Sequence, residues 1–333
     1  MSNRPNRVGT IAAVIVSAVL LTITGLVVVN RQYVADAVSA WQYEPSAAIV
    51  EIGKRTTFTD QGRFYFYASH PAVESAEQFN QHCQQQEAGS AILGCYSAGD
   101  IYIYDVTNDQ LDGIEEVTAA HETLHAVWDR LSDADKSRLT RLLEAEFTRI
   151  NSPELNERMA YYDRTEPGER ANELHSIIGT EFSGLGAELE AHYGSYFKNR
   201  SSVVALHTSY QSVFDNLKKQ SDELEKQISA LKSSLDSAIA AYNAESSQLG
   251  KDIAALKAQE PTVDRTSNSQ VNAYNTKRQQ LLNRIDTLDK SREAINTQTD
   301  TYNANITAYN DLIVRTNSLS KSLDSTLQAT PSL

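Results

Sequence analysis

The stretch Thr118-Ala-Ala-His121-Glu122-Thr-Leu-His125-Ala-Val-Trp128 constrains this chain more than any other. Ile114, Val117, Leu124, Val127, Trp128 and Leu131 recur at steps of three and four, the pattern of a helix with one buried face. Asp109 or Asp112 is placed to cap its start, and Leu131-Ser-Asp-Ala-Asp135 opens a further helix. On such a helix, histidines four apart lie on one face, so both imidazoles can reach a single metal ion. Glu122, beside His121, is then placed to hold a water molecule and take its proton. The same pair can also arise by coincidence, so the surroundings have to decide.

A metal ion that does chemistry takes three protein ligands and keeps one position open. The motif His121-Glu122-x-x-His125, followed by Asn172-Glu173-Leu-His-Ser176 on a later helical segment, resembles the zincin metallopeptidases. Within them it is similar to the gluzincin branch, over roughly residues 101–197. The resemblance implies an α+β zincin-like domain dominated by helices, with a zinc ion (Zn2+) as cofactor and a peptide or protein as substrate. It implies His121, His125 and Glu173 as ligands and Glu122 as the base, with Glu181 and His175 as alternative third ligands. Members of that branch often place an acidic residue four positions after the ligand glutamate, where it orients a metal-bound histidine. Here that position is Ile177, and His175 or Glu181 is the substitute on offer. No histidine follows His125 at the short spacing of the metzincins. Tyr162 is the selected donor for a developing oxyanion, with Tyr161, His192 and Tyr193 as further candidates.

Before the motif, Ile101-Tyr-Ile-Tyr-Asp-Val106 alternates in the manner of a strand. In the zincin fold an edge strand beside the active-site helix binds extended peptide by backbone pairing, and Ile101–Val106 is placed to be that strand or its neighbour. Ala48–Ile52 and Arg63–Ala68 read together as a strand plus a short helix. The only two cysteines, Cys83 and Cys95, predict a structural disulfide in an oxidising compartment, worth about 3 kcal/mol in the chain-entropy account.

The amino-terminal segment bears on compartment. Ile11 to Val29 is a run of 19 residues without charge, preceded by Arg4 and Arg7. Its length suits a single transmembrane helix at 11–29, with residues 1–10 cytoplasmic and the rest of the chain outside the cell membrane. Ala37-Val-Ser39-Ala40 offers the alternative, a cleavage site for a removable leader.

Residues 42–200 have the length of one compact domain, and beyond them the composition changes. Leu217, Leu224, Ile228, Leu231, Leu235, Ala238 and Tyr242 keep three-four spacing, Gln259–Asp264 breaks it at Pro261, and a second run follows from Val271 to Leu323. Helices at about 203–258 and 264–328 predict an antiparallel coiled-coil hairpin over 201–329, roughly 80 to 90 Å long. Such an arm suits self-association or a protein partner. The net charge of −13 argues against nucleic acid as a partner. The competing expectation is a non-catalytic surface scaffold, in which a degenerate zincin-like domain carries a partner-binding arm.

Overall fold

The computed structural model describes residues 7–83 and 92–326. The chain is dominated by helices, with one small sheet and a long helix pair near its carboxyl end. It divides into two compact units, the first formed by residues up to 213 and from 319 onward, the second by residues 214–318.

The first unit starts with α1 (Arg7–Val29) and α2 (Arg31–Gln42), followed by α3 (Ala47–Arg55) and α4 (Asp60–Ala68). Among the described residues no single helix is long and apolar enough to cross a membrane; Ile15–Val29 and Arg31–Gln42 pass by length and composition only as a pair, bent by 81°. α3 and α4 correct the expectation of a strand plus a short helix. Ser46 accepts from the N–H of Ile49 and Thr59 from that of Gly62, so each segment has a side-chain cap that starts a helix. The aromatic run Phe64-Tyr-Phe-Tyr67 then wraps around α4 and puts Phe66 in the core.

The sheet contains β1 (Ala72–Glu74), β2 (Gly94–Ser97) and β3 (Asp100–Tyr104), in the order β1-β3-β2, with α5 (Ala76–His82) between the first two in sequence. β1 runs parallel to β3 and β2 antiparallel to it. Alternation in β3 is sharp: Ile101 and Ile103 are fully buried, and the tyrosines between them are not. β3 is thus the central strand, and β2 is the neighbour at the edge. Val106 lies past the end of β3, where its N–H is taken by the Glu115 carboxylate rather than by the sheet. Cys83, at the end of α5, is disulfide-bonded to Cys95 in β2.

α6 (Ile114–Arg130) carries the His121/His125 motif and is buried along most of its length. Its start is set by Gly113 at φ 94°, not by an aspartate cap. Only glycine adopts that conformation freely, and a Cβ there would also meet Leu206 Cδ2 at 2.9 Å. Asp112 instead receives Arg55, which bridges to Glu116 as well. After it come α7 (Asp133–Ile150), capped by Ser132, then α8 (Pro153–Thr165), α9 (Arg170–Glu181) and α10 (Ala187–Tyr193). α6 packs chiefly on α9, through Leu124, Val127, Leu174, Ile177 and Ile178.

α11 (Arg200–Gln259) and α12 (Asn268–Leu323) are the last of the described α-helices. Within the second unit, Gln227 meets Asn305, Ser234 meets Gln298, and Glu245 and Asp252 both hold Arg284. These pairings run in opposite directions along the two helices, so they are antiparallel. Their bounds differ from the expected 203–258 and 264–328 by a few residues, and residues 327–329 of the expected hairpin lie outside the described chain. The carboxyl end returns to the first unit, where Ser325 exchanges hydrogen bonds with Asn80 and Ser322 accepts one from Asn108.

One buried ion pair ties α2 to the end of α6. Arg130 donates from Nε and Nη2 to the two Asp36 oxygens at 2.9 and 2.8 Å, and Asp36 is 4% exposed. Removing one partner strands the other charge away from water. Asp36→Ala is therefore expected to destabilise the protein by about 3–5 kcal/mol, read as a lower urea midpoint with an unchanged slope.

Candidate metal centre

The crossing of α6 and α9 brings three side chains together. His121 and His125 stand one turn apart on α6, with their Nε2 atoms 3.1 Å from each other. Glu173, in the first turn of α9, points its carboxylate at them, Oε1 lying 3.5 Å from His125 Nε2 and Oε2 3.9 Å from His121 Nε2. The three donor atoms lie within 4.8 Å of one another. Bonds of about 2.0–2.1 Å to a tetrahedral zinc would hold such atoms roughly 3.4 Å apart, close to what is observed. Glu173 is 5% exposed, and its Oε2 is buried with no hydrogen-bond partner. A buried carboxylate oxygen without a donor is costly, and a bound cation would satisfy it. The residues present fit a zinc ion.

The surroundings of the trio are specific. His125 Nδ1 lies 2.9 Å from Asn172 Oδ1, whose Nδ2 in turn donates to Glu169. That bond leaves the proton on Nδ1 and turns Nε2, with its lone pair, toward Glu173 and His121. Asn172 thus does what was expected of His175 or Glu181. Glu181 is occupied elsewhere, in a two-point pair with Arg158 at 2.7 and 2.5 Å and with His207 at 3.4 Å. His175 is fully buried under Trp128 and Tyr193, and its Nε2 faces His192 Nε2 at 2.8 Å. Neither alternative third ligand is part of the cluster.

Glu122 is 5% exposed and faces the sheet edge. Burial pushes its carboxyl up to about 7; the Glu173 and Glu166 charges add to this, against His125 and the backbone N–H of Tyr96. Burial also raises Glu173, and the Tyr162 hydroxyl partly offsets that shift. His121 is held well below its ordinary value by burial and by its positive neighbours, whereas the carboxylates around His125 overcome its burial and raise it. Of the four candidate donors, Tyr162 is the one beside the cluster: it is coupled to both Glu173 and Glu122. The Tyr193 hydroxyl is committed to the His175 carbonyl, and His192 to the His175 ring.

β2 forms the wall next to Glu122. The Tyr104 N–H donates to the Leu93 carbonyl, and the register pairs Cys95 with Tyr102. The N–H and C=O groups of Gly94 and Tyr96 therefore point to the open edge of the sheet, on the Glu122 side. Gly94 is what lets the strand come so close: a Cβ there would lie 2.5 Å from Thr118 Cγ2 and 2.8 Å from Glu122 Oε1.

Sequence reasoning found the three clustered residues and missed Asn172, Gly94 and Arg158. The only cue to Asn172 was its place next to Glu173. Comparison with known protein families, with curated proteins and with solved structures gives no match.

Two predictions follow from these contacts. Gly94→Val is expected to push β2 off α6 and displace Glu122, an overpacking that lowers stability by about 1–3 kcal/mol, read as a lower urea midpoint. The second concerns His175 and His192, which at 2.8 Å share one proton between two facing nitrogens and so stay neutral. Burial holds His175 well below its ordinary value, and burial with Arg138 nearby brings His192 down to about 4. The unfolded chain takes up these protons near pH 6.5, the folded pair only at lower pH. Their stabilisation is therefore complete above pH 6.5 and is lost as the pH falls toward 4, by on the order of 3 kcal/mol for His192. His192→Gln keeps a partner for His175 and does not titrate, so its urea midpoint is expected to fall less than the parent's across that window.

Proposed function

We propose that this chain is a zinc-dependent peptide hydrolase of the zincin type, anchored in the cell membrane with its catalytic unit outside. The observation that carries this reading is the buried trio of His121, His125 and Glu173, with its orphaned Glu173 Oε2 and with Glu122 on the adjoining turn. His121, His125 and Glu173 would hold the metal. A zinc ion bound there acidifies water and polarises a carbonyl, as a Lewis acid.

The other steps belong to the chain. Glu122, with a carboxyl raised to near neutrality by burial, is suited to take the proton from an attacking water and return it to the leaving amine. Asn172 keeps His125 in the tautomer that a ligand needs. Tyr162 stays protonated, since burial raises its hydroxyl, and can donate to the oxyanion as the carbonyl becomes tetrahedral. The outward edge of β2 offers the N–H and C=O of Gly94 and the C=O of Tyr96 to an extended peptide beside Glu122, which itself takes the Tyr96 N–H. Such pairing selects for peptide in strand form rather than for a folded surface.

Two features support the location. The uncharged run Ile11–Val29 has the length of a span, and the bond between Cys83 and Cys95 suits an oxidising compartment. The helix pair of the second unit is proposed as an arm for a protein partner or for self-association.

The test is zinc content and peptide hydrolysis measured on the same protein. The parent is expected to carry about one zinc per chain. Glu122→Gln is expected to keep the metal and lose about 10²–10⁴-fold in kcat/KM, whereas His125→Ala loses metal and activity together. Zinc retained by a parent without activity would favour the non-catalytic scaffold. A protein that takes up no zinc would end the reading.

A further inference from the structure

α2 is oriented against the usual rule for a helix on a protein surface. Its inward face is polar: Asp36 pairs with Arg130 and accepts from the exposed Gln32 at the rim, and the Ser39 hydroxyl meets the Ala68 carbonyl and His70. Its outward face is apolar between Arg31 and Gln42, the exposed polar residues at its two ends. Val34, Ala35, Val38 and Trp41 follow three-four spacing, and all four are exposed, Trp41 at 84%. A helix in water buries its apolar stripe; this one fixes its polar stripe to the body of the unit and turns the other away.

The exposed stripe continues that of α1. Ile15, Val16, Val19, Leu20, Val28 and Val29 are exposed, covering several sides of that helix, and α2 leaves it at an angle of 81°. If α1 stands along the bilayer normal, α2 lies nearly in the plane of the membrane. The bend falls at Asn30 and Arg31, polar residues suited to the headgroup layer, and tryptophan is the side chain most at home at that depth. The salt bridge to Arg130 and the hydrogen bonds of Ser39 hold α2 in place, so the apolar stripe is a fixed feature of the unit and not a fraying end.

We propose that the outward face of α2, built from Val34, Ala35, Val38 and Trp41, is a membrane-interface surface that seats the first unit on the phospholipid bilayer in which α1 is anchored. The occupant is lipid at the boundary between headgroups and acyl chains. This proposal rests on the anchor reading above and is independent of the metal centre. It also has a consequence for substrate. Arg130, which grips α2, is five residues from His125 on α6, or about 8 Å along the helix axis. The metal centre would then face peptide lying close to the membrane surface.

The chain has two tryptophans, and Trp128 is buried, so Trp41 can be read by difference. The full chain and Trp41→Phe are reconstituted in phosphatidylcholine vesicles containing a minority of phosphatidylglycerol, brominated either just below the headgroup or deep in the acyl chain. The emission that the parent has over Trp41→Phe is expected to be blue-shifted, mostly lost with shallow bromines and less reduced with deep ones. If the chain floats with the vesicles but Trp41 emits as a water-exposed indole, α2 stands off the bilayer and the proposal falls while the anchor survives. Blue-shifted emission that bromine leaves untouched would put α2 against protein, and overturns the proposal equally. If the chain does not float with the vesicles, the anchor reading fails and takes this proposal with it.

Discussion

Two carboxylates and two imidazoles share one nearly dry space between α6 and α9, and most of the first unit is arranged around that fact. Glu122 and Glu173 are each only 5% exposed. Arg158, the nearby guanidinium, is committed to Glu181, so the positive charge that these carboxylates favour most directly is that of the His125 ring. Burying charge without a partner is among the costlier things a fold can do, and proteins that retain such clusters use a metal, a proton or a substrate to balance them. The apolar packing of Leu124, Val127, Leu174, Ile177 and Ile178 supplies the free energy that keeps the cluster assembled.

The sheet matters less for its size than for where its edge falls. Three short strands would be marginal by themselves, but β3 buries Ile101 and Ile103 against α6, and the Cys83–Cys95 bond ties α5 to the outermost strand. The edge is thereby fixed beside Glu122 at the one residue, Gly94, that has no side chain to hold it off. Catalytic groups placed on rigid elements keep their geometry better than groups on loops. Here Glu122 sits on a buried helix, and the wall facing it is a disulfide-bonded strand.

How much of this was legible varied with the range of the interaction. The His121/His125 pair is written in a local period, and helix geometry alone puts both rings on one face. The break at Pro261 and the two flanking helices are legible for the same reason. The pair Ala48–Ile52 and Arg63–Ala68, read as a strand plus a short helix, was legible only in part, because such short apolar runs carry little period until the caps at Ser46 and Thr59 are given their due. Gly113 displaced the aspartate caps because the chain needs a left-handed residue there. Asn172 was invisible for a different reason: its partner His125 is 47 residues away, and only the crossing of α6 with α9 brings them together. The inverted face of α2 also depended on knowing where Arg130 and His70 lie, since a short helix with a mixed sequence does not declare which side faces inward.

The return of the chain at Leu319–Thr326 makes the first unit discontinuous in sequence, with the second unit inserted into it. Asn80 and Asn108 take their partners Ser325 and Ser322 from residues made 245 and 214 positions later. At a ribosomal rate of about 5–20 residues per second, the intervening stretch occupies roughly ten to fifty seconds. For that interval the edge of the unit near α5 is open, although the His121, His125 and Glu173 cluster has already emerged. The long helix pair therefore acts as a timer in biosynthesis: the body that carries the candidate site cannot be sewn shut until the whole of the pair has been made.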